Sequence, residues 1–203
     1  LLSAELVRDA GFDILGTVGR QAGAQIAFVA GSAMAIGTGT VQPQGFVSAA
    51  TGAGLSTAVK GGTVTATFFD ALDLTTVLYS LAPSYRNTNT VWHAATTAVS
   101  KLRKLQDLNG QFVFQPSMAA GQPDTLMGYR LKENVHMAAV ASASKSVAII
   151  HEPSYYVREL PIEVASSTDY LFNTNQVAIR TLYAVDGNIP DLNAVKVLVS
   201  ATS

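Results

Sequence analysis

The sequence predicts an α+β fold: a long N-terminal helix, then mixed short elements, then a β-rich C-terminal third. Three observations predict it. Apolar residues recur near the 3.6-residue helical period from Leu6 to Ala33. β-branched and aromatic residues crowd residues 146–165, 176–185 and 193–201, the composition of strands. The helical and strand-like segments do not alternate strictly, which excludes a doubly wound parallel sheet.

Taken in order, residues 3–36 read as one long helix, with Ser3 as N-cap and Glu5 in the first turn beside the positive end of the dipole. Arg8, Asp9, Asp13 and Arg20 mark its wetter face, and Gly37 is placed to end it as a C′ residue. Residues 45–51 and 62–69 read as short strands, the second alternating from Thr63 to Phe69. Residues 70–82 read as a helix with Asp70 as cap and Pro83 just beyond its end. Residues 89–105 read as a helix carrying Trp92, with Lys101, Arg103 and Lys104 in its last turns, where cations suit the dipole. Asn109-Gly110 makes a turn into a strand, Asp186-Gly187 makes a tight turn, and residues 193–201 form the closing strand.

Composition narrows the function. Charged residues are only 13% of the 203, against roughly 25% in typical soluble domains. A lone monomer stays soluble by coating itself with charge, so this chain is expected to hide much of its surface against other subunits. The net charge of −1 excludes a strongly basic nucleic-acid wrapper. The lack of cysteine removes disulfides, thiolate metal sites and cysteine nucleophiles together. Residues 21–59 carry no charge, but the apolar run of residues 26–36 contains Gly31 and Ser32 and falls well short of the roughly 20 residues a membrane span needs.

Motifs for chemistry are weak. Gly37-Thr38-Gly39 lacks the third glycine of a dinucleotide fingerprint, since position 42 is Gln, and it follows a helix where the fingerprint follows a strand. Ser142-Ala143-Ser144-Lys145 has the Ser-x-x-Lys spacing of serine acyl-enzymes without the partner motifs, so it reads as a solvated loop. His93, His136 and His151 have no ligand-like pairing, and no acidic pair sits in a shielded setting. The cationic cluster Lys101, Arg103 and Lys104 reads as a solvated helix end. No enzyme, no cofactor and no metal are expected.

Four motifs in fixed order carry a resemblance. Gly37, Gly39, Pro43 and Gly45 form a Gly-x-Gly-x-x-x-Pro-x-Gly turn after the long helix. Trp92 precedes an Asp-x-x-Gly turn at Asp107 and Gly110. Leu126 and Gly128 form Leu-x-Gly before a strand. Arg180, the pair Asp186 and Gly187, and Ala194-Val195 close the chain. In this pattern the chain resembles the major capsid proteins of tailed bacteriophages with the HK97 fold.

The resemblance implies a spine helix in a peripheral (P) domain at residues 1–45, an axial (A) domain at 46–185, and a C-terminal strand returning to the P domain at 186–203. The glycine turn becomes the joint between them. It also implies a structural subunit that self-assembles into pentamers and hexamers of an icosahedral phage or prophage head around double-stranded DNA. Scaffold and portal proteins are the implied partners, with weak sequence-independent DNA contact, no membrane, and assembly in the host cytoplasm. The family's N-terminal arm and extended loop would precede Leu1, so a trimmed N-terminus is expected. An encapsulin-type compartment shell uses the same fold and is the alternative; a small-molecule-binding protein or hydrolase would instead need a pocket with convergent polar groups.

Overall fold

A computed structural model of the chain describes residues 2–3, 11, 13–49, 58–60, 69, 71–106, 112, 114, 124–167, 169–170 and 172–200. In chain order the elements are β1 (Leu2–Ser3), α1 (Ile14–Ile36), β2 (Ala58–Lys60), α2 (Ala71–Ser80), β3 (Thr90–Ala94), α3 (Thr96–Arg103), β4 (Thr125–Leu126) and β5 (Tyr129–Glu133). There follow β6 (Lys145–His151), β7 (Tyr156–Glu159), β8 (Glu163–Ser167), β9 (Gln176–Leu182), β10 (Val185–Asn188) and β11 (Val195–Val199). Helices and sheets are both present, as an α+β fold requires.

The chain divides into two compact units. One comprises Leu1–Gly31 and Val157–Asp186; the other comprises Ser32–Tyr156 and Gly187–Ser203. These boundaries differ from 1–45, 46–185 and 186–203. β8 and β9 fall in one unit with the first part of α1, and β11 lies inside the six-stranded sheet of the other, antiparallel to β6 and parallel to β2.

In the larger unit that sheet has the order β2-β11-β6-β3-β5-β4. Its central strand β6 is buried from Ser146 to Ile150. Its apolar part, residues 147–150, is the continuous run that a strand covered on both faces demands. α2 packs against β11 and β2, and α3 against β6. Trp92, Leu74, Leu81, Leu102, Ile149 and Leu198 are the largest fully buried side chains.

Trp92 lies on β3 and not on a helix, which corrects the reading of residues 89–105. Thr90–Ala94 is a parallel partner of β5 and an antiparallel partner of β6, so both of its edges are hydrogen-bonded. Burial on both faces erases the period-2 signal, and the following alanines mimic a helix. The helix starts only at Thr96, after Ala95. The β4–β5 connection is a two-residue turn at Met127 (φ 51°) and Gly128 (φ 83°), two consecutive positive φ values that suit a tight hairpin.

In the smaller unit β1, β9 and β8 form an antiparallel sheet in the order β1-β9-β8. Ser3 is therefore a strand residue opposite Gln176, not a helix cap. The N-terminal cap of α1 is Asp13: its Oδ1 accepts the N–H of Gly16 at 2.9 Å. A carboxylate there satisfies an orphan donor and meets the helix dipole. The strand expected at 62–69 lies outside the described residues apart from Phe69, and residues 46–49 form a turn rather than a strand.

Candidate assembly surface and the glycine turn

The glycine turn lies inside the larger unit and forms a joint only between the C-terminal end of α1 and the chain that returns to it. The last carbonyls of a helix lack intrahelical donors, and here the returning chain supplies them. Gly37 N–H still bonds Ala33 O at 2.8 Å; then Phe46 N–H bonds Met34 O (3.0 Å), Val47 N–H bonds Ala35 O (2.9 Å) and Gly45 N–H bonds Gly37 O (2.9 Å). The Ser48 hydroxyl donates to Ile36 O at 2.7 Å. Residues 45–48 thus lie directly against the helix end.

This approach explains two glycines. A Cβ on Gly45 would sit 2.5 Å from Gly37 N and 2.6 Å from Ala35 C, and a Cβ on Gly37 would strike Pro43 O and Ala33 O. Gly37 is not left-handed, contrary to its expected role as a positive-φ C′ residue; it is required because two backbones touch. Gly39, at φ 77°, does use the left-handed region. Pro43 is buried, and its carbonyl accepts the Gly39 N–H at 3.3 Å.

Gly187 belongs to the same joint. It lies within β10, so Asp186-Gly187 is not a tight turn. Its carbonyl accepts the Gln44 N–H at 2.8 Å, and a Cβ there would sit 2.6 Å from the Tyr155 hydroxyl. That hydroxyl donates to Gln44 O at 2.9 Å. Tyr155, absent from the sequence motifs, therefore closes the joint. Its partner is 111 positions away, beyond the reach of any local pattern.

The remaining motif residues scatter. Trp92 is core, with its indole Nε1 lacking a hydrogen-bond partner. Gly128 is at the hairpin tip in open space, and Asp186 is exposed. Arg180 is exposed on β9 opposite Ala165. Asp107 and Gly110 lie outside the described residues. The motifs mark fold positions and do not converge on one chemical centre.

The three histidines are also separate. His136 sits in a turn whose N–H bonds Asn134 Oδ1. His151 Nδ1 and Nε2 contact Ser154 Oγ (2.8 Å) and Asn87 Nδ2 (3.2 Å). His93 lies 3.5 Å from Glu152 Oε1, which also takes Lys132 Nζ at 2.5 Å, and its ring meets Phe46 at 5.1 Å between centroids. Among the described residues no group of three or more metal-ligating side chains occurs. Lys145 Nζ donates to Val47 O at 3.2 Å, which ties the Ser-x-x-Lys lysine to a backbone carbonyl. At the cationic helix end Arg103 pairs with Asp124 at 2.8 Å.

Burial pushes the His93 pKa below its ordinary 6.5; Glu152 pulls it up and Lys132 pushes it down. The unfolded chain therefore binds this proton first as pH falls, so the stability is present above about pH 6.5 and is lost below it. The melting temperature of the subunit should fall on acidification through this window, and His93→Gln should shrink the fall. An unchanged profile in the variant would sink this assignment.

Exposed apolar side chains occur on both units, and one run of them lies in the smaller unit. In β8 and the segment leading into it, Leu160, Ile162 and Val164 are 53%, 48% and 63% exposed, and all five β8 residues are exposed. A strand so uncovered, at the edge of its sheet, offers unpaired backbone groups as well as apolar side chains. A groove of about 460 Å³ on this unit is lined by Gly23, Ile26 and Ala27 of α1 with Leu160, Ile162 and Tyr183. A second of about 390 Å³ is lined by Ala165, Ser167, Tyr170, Ala178 and Arg180. The first also holds Glu159, whose Oε2 accepts the Tyr183 hydroxyl at 3.0 Å, and the second holds the exposed Arg180. No helix among the described residues is long and apolar enough to cross a membrane.

Comparison with known proteins agrees with this picture. The profile of the phage capsid family matches residues 1–200. The capsid of an empty GTA particle, computed with C5 symmetry, is similar at 26% identity and a TM-score of 0.85 over 99% of this chain and 71% of that one. A chain of Microbacterium phage Oxtober96 is similar at 16% identity and a TM-score of 0.73, over 100% of this chain and 70% of that one. A chain of Mycobacterium phage Bobi has 15% identity and a TM-score of 0.67, with the same coverages of 100% and 70%. At those lower identities the likeness is one of fold. Among curated proteins none matches. The glycine joint, the six-stranded sheet, the uncovered strand and the family match lead to one conclusion: the chain belongs to the phage capsid family and is a capsid shell protein with an HK97-like α+β fold.

Proposed function

We propose that many copies of this chain close into pentamers and hexamers of an icosahedral head around double-stranded DNA. The single observation that carries the proposal is the uncovered strand β8 and the segment leading into it, with Leu160, Ile162 and Val164 exposed in a chain only 13% charged. A patch of roughly 800 Å² per partner is standard for a stable interface, and closed symmetry repeats each modest contact around the particle. The gross apolar drive of about 25 cal/mol per Å² is reduced by lost rigid-body freedom and desolvation, so single contacts stay reversible during assembly.

In this reading the unit holding the six-stranded sheet serves as the axial part and the unit holding β1, β8 and β9 as the peripheral part. The role is structural, and scaffold and portal proteins are its partners during assembly in the host cytoplasm. The similarity to a capsid computed with C5 symmetry supports fivefold grouping. No observation favours a cargo-holding compartment over a phage head. Electron microscopy of the purified protein, alone and co-expressed with scaffold, tests the proposal: closed shells, rings or tubes are expected. Uniform small particles under both conditions would contradict it.

A further inference from the structure

One cleft in the larger unit has the chemistry of an anion site. It measures about 580 Å³ and lies between the loop after α2 and the β4–β5 hairpin, lined by Arg86, Thr88, Thr125, Tyr129 and Arg130 among others. Among the described residues that line it none is a carboxylate.

Arg86 is fixed in place. Its Nε donates to Leu81 O at 2.8 Å, its Nη2 donates to Tyr79 O at 2.9 Å, and its guanidinium lies 5.0 Å from the centre of the Tyr79 ring. Carbonyl partners orient a guanidinium without neutralising it, and its Nη1 donors stay uncommitted in these bonds. Arg130 is exposed on β5 opposite Thr125. Neither arginine has a carboxylate partner among the described residues. The nearby acids are engaged: Asp124 pairs with Arg103, Glu152 with Lys132, and Asp191 accepts the Tyr85 hydroxyl.

We infer that this cleft binds phosphodiester groups of nucleic acid. Two uncompensated guanidiniums suit an oxyanion, which arginine grips through paired N–H donors. Threonine and tyrosine hydroxyls around them are the usual sequence-independent companions of phosphate contacts. The cleft is open, and the hairpin tip is bare at Gly128, where even an added Cβ would meet nothing within 4 Å; a continuous backbone can therefore pass through. The identification of the polyanion as packaged nucleic acid rests on the shell reading, whereas the anion site itself does not.

The test is fluorescence anisotropy of a labelled oligothymidylate with the dissociated full chain across a salt series, with inorganic pyrophosphate as competitor. Two phosphate contacts predict a slope of log affinity against log salt of about −1.4 on a single strand. Arg130→Gln should weaken binding about 5–10-fold and flatten the slope by about 0.7. Arg158→Gln, on exposed β7 outside the cleft, should change neither. Pyrophosphate should displace the oligonucleotide from the wild type. Thermal melting of Arg130→Gln and Arg130→Glu checks that the fold survives. Wild-type affinity and slope in Arg130→Gln would overturn the site. So would unchanged oligonucleotide binding combined with lost assembly in Arg130→Glu, which would assign the cleft to a carboxylate of a neighbouring copy. Microscopy of the same preparations keeps the two readings apart: binding without any assembly would contradict the shell role and leave the anion site standing.

Discussion

Gly45→Ala should destabilise the subunit by at least about 3 kcal/mol, the upper end of what overpacking costs. For a chain of this size that is a fall of roughly 6–12 °C in melting temperature. The added methyl would land 2.5 Å from Gly37 N and 2.6 Å from Ala35 C. Both are backbone atoms, so no side chain can swing aside. To admit it the chain must release the bonds from Phe46 and Val47 to Met34 O and Ala35 O, which leaves helix-end carbonyls unpaired. Gly19→Ala is the matching control: its Cβ meets nothing within 4 Å on the exposed part of α1, so it should stabilise by about 0.5–1 kcal/mol. Calorimetry of the two variants as dissociated subunits measures both. Equal melting temperatures would mean that the joint is not the close contact described.

The second large effect concerns assembly and leaves the subunit nearly untouched. In Ile162→Lys/Val164→Lys the two replaced side chains are 48% and 63% exposed, so stability should change by no more than about 0.5 kcal/mol per site. Buried against a neighbour, each unpaired ammonium costs several kcal/mol. Even about 3 kcal/mol per contact weakens association about 100-fold. Sedimentation velocity should find only dissociated subunits with a wild-type melting curve. Shells formed at wild-type yield would remove β8 from the assembly surface.

Much of the fold was legible in the sequence, for identifiable reasons. The helix at 71–80 showed because Leu74, Val77, Leu78 and Leu81 keep a helical stripe between Asp70 and Pro83. The closing strand showed because Val195, Val197 and Val199 are β-branched at every second position. The start of α1 was hidden because pattern alone places Asp13 on the wet face, whereas its carboxylate accepts the Gly16 N–H as a cap; residues 4–10 lie outside the described residues. Trp92 was misplaced because a strand paired on both edges and covered on both faces leaves no alternation.

The site was legible only in part. Gly37, Gly39, Pro43 and Gly45 gather where the chain folds back on the end of α1, inside the larger unit, and Gly37 serves close approach rather than a left-handed turn. Tyr155 and Gly187 join through pairings more than a hundred residues long, and such pairings leave no local trace. The exposure of Ile162 and Val164 is equally invisible, because an apolar residue in a strand reads as core until the sheet edge is known. Arg86 and Arg130 are 44 positions apart, and only the hairpin beside the loop after α2 brings them to one cleft.

The most direct measurement is a cryo-electron microscopy reconstruction of particles assembled from the wild-type chain. Closed symmetric shells are expected, with Leu160, Ile162 and Val164 buried against a neighbouring copy. Shells in which these three side chains remain in solvent, or no ordered particles at all with scaffold present, would contradict that expectation.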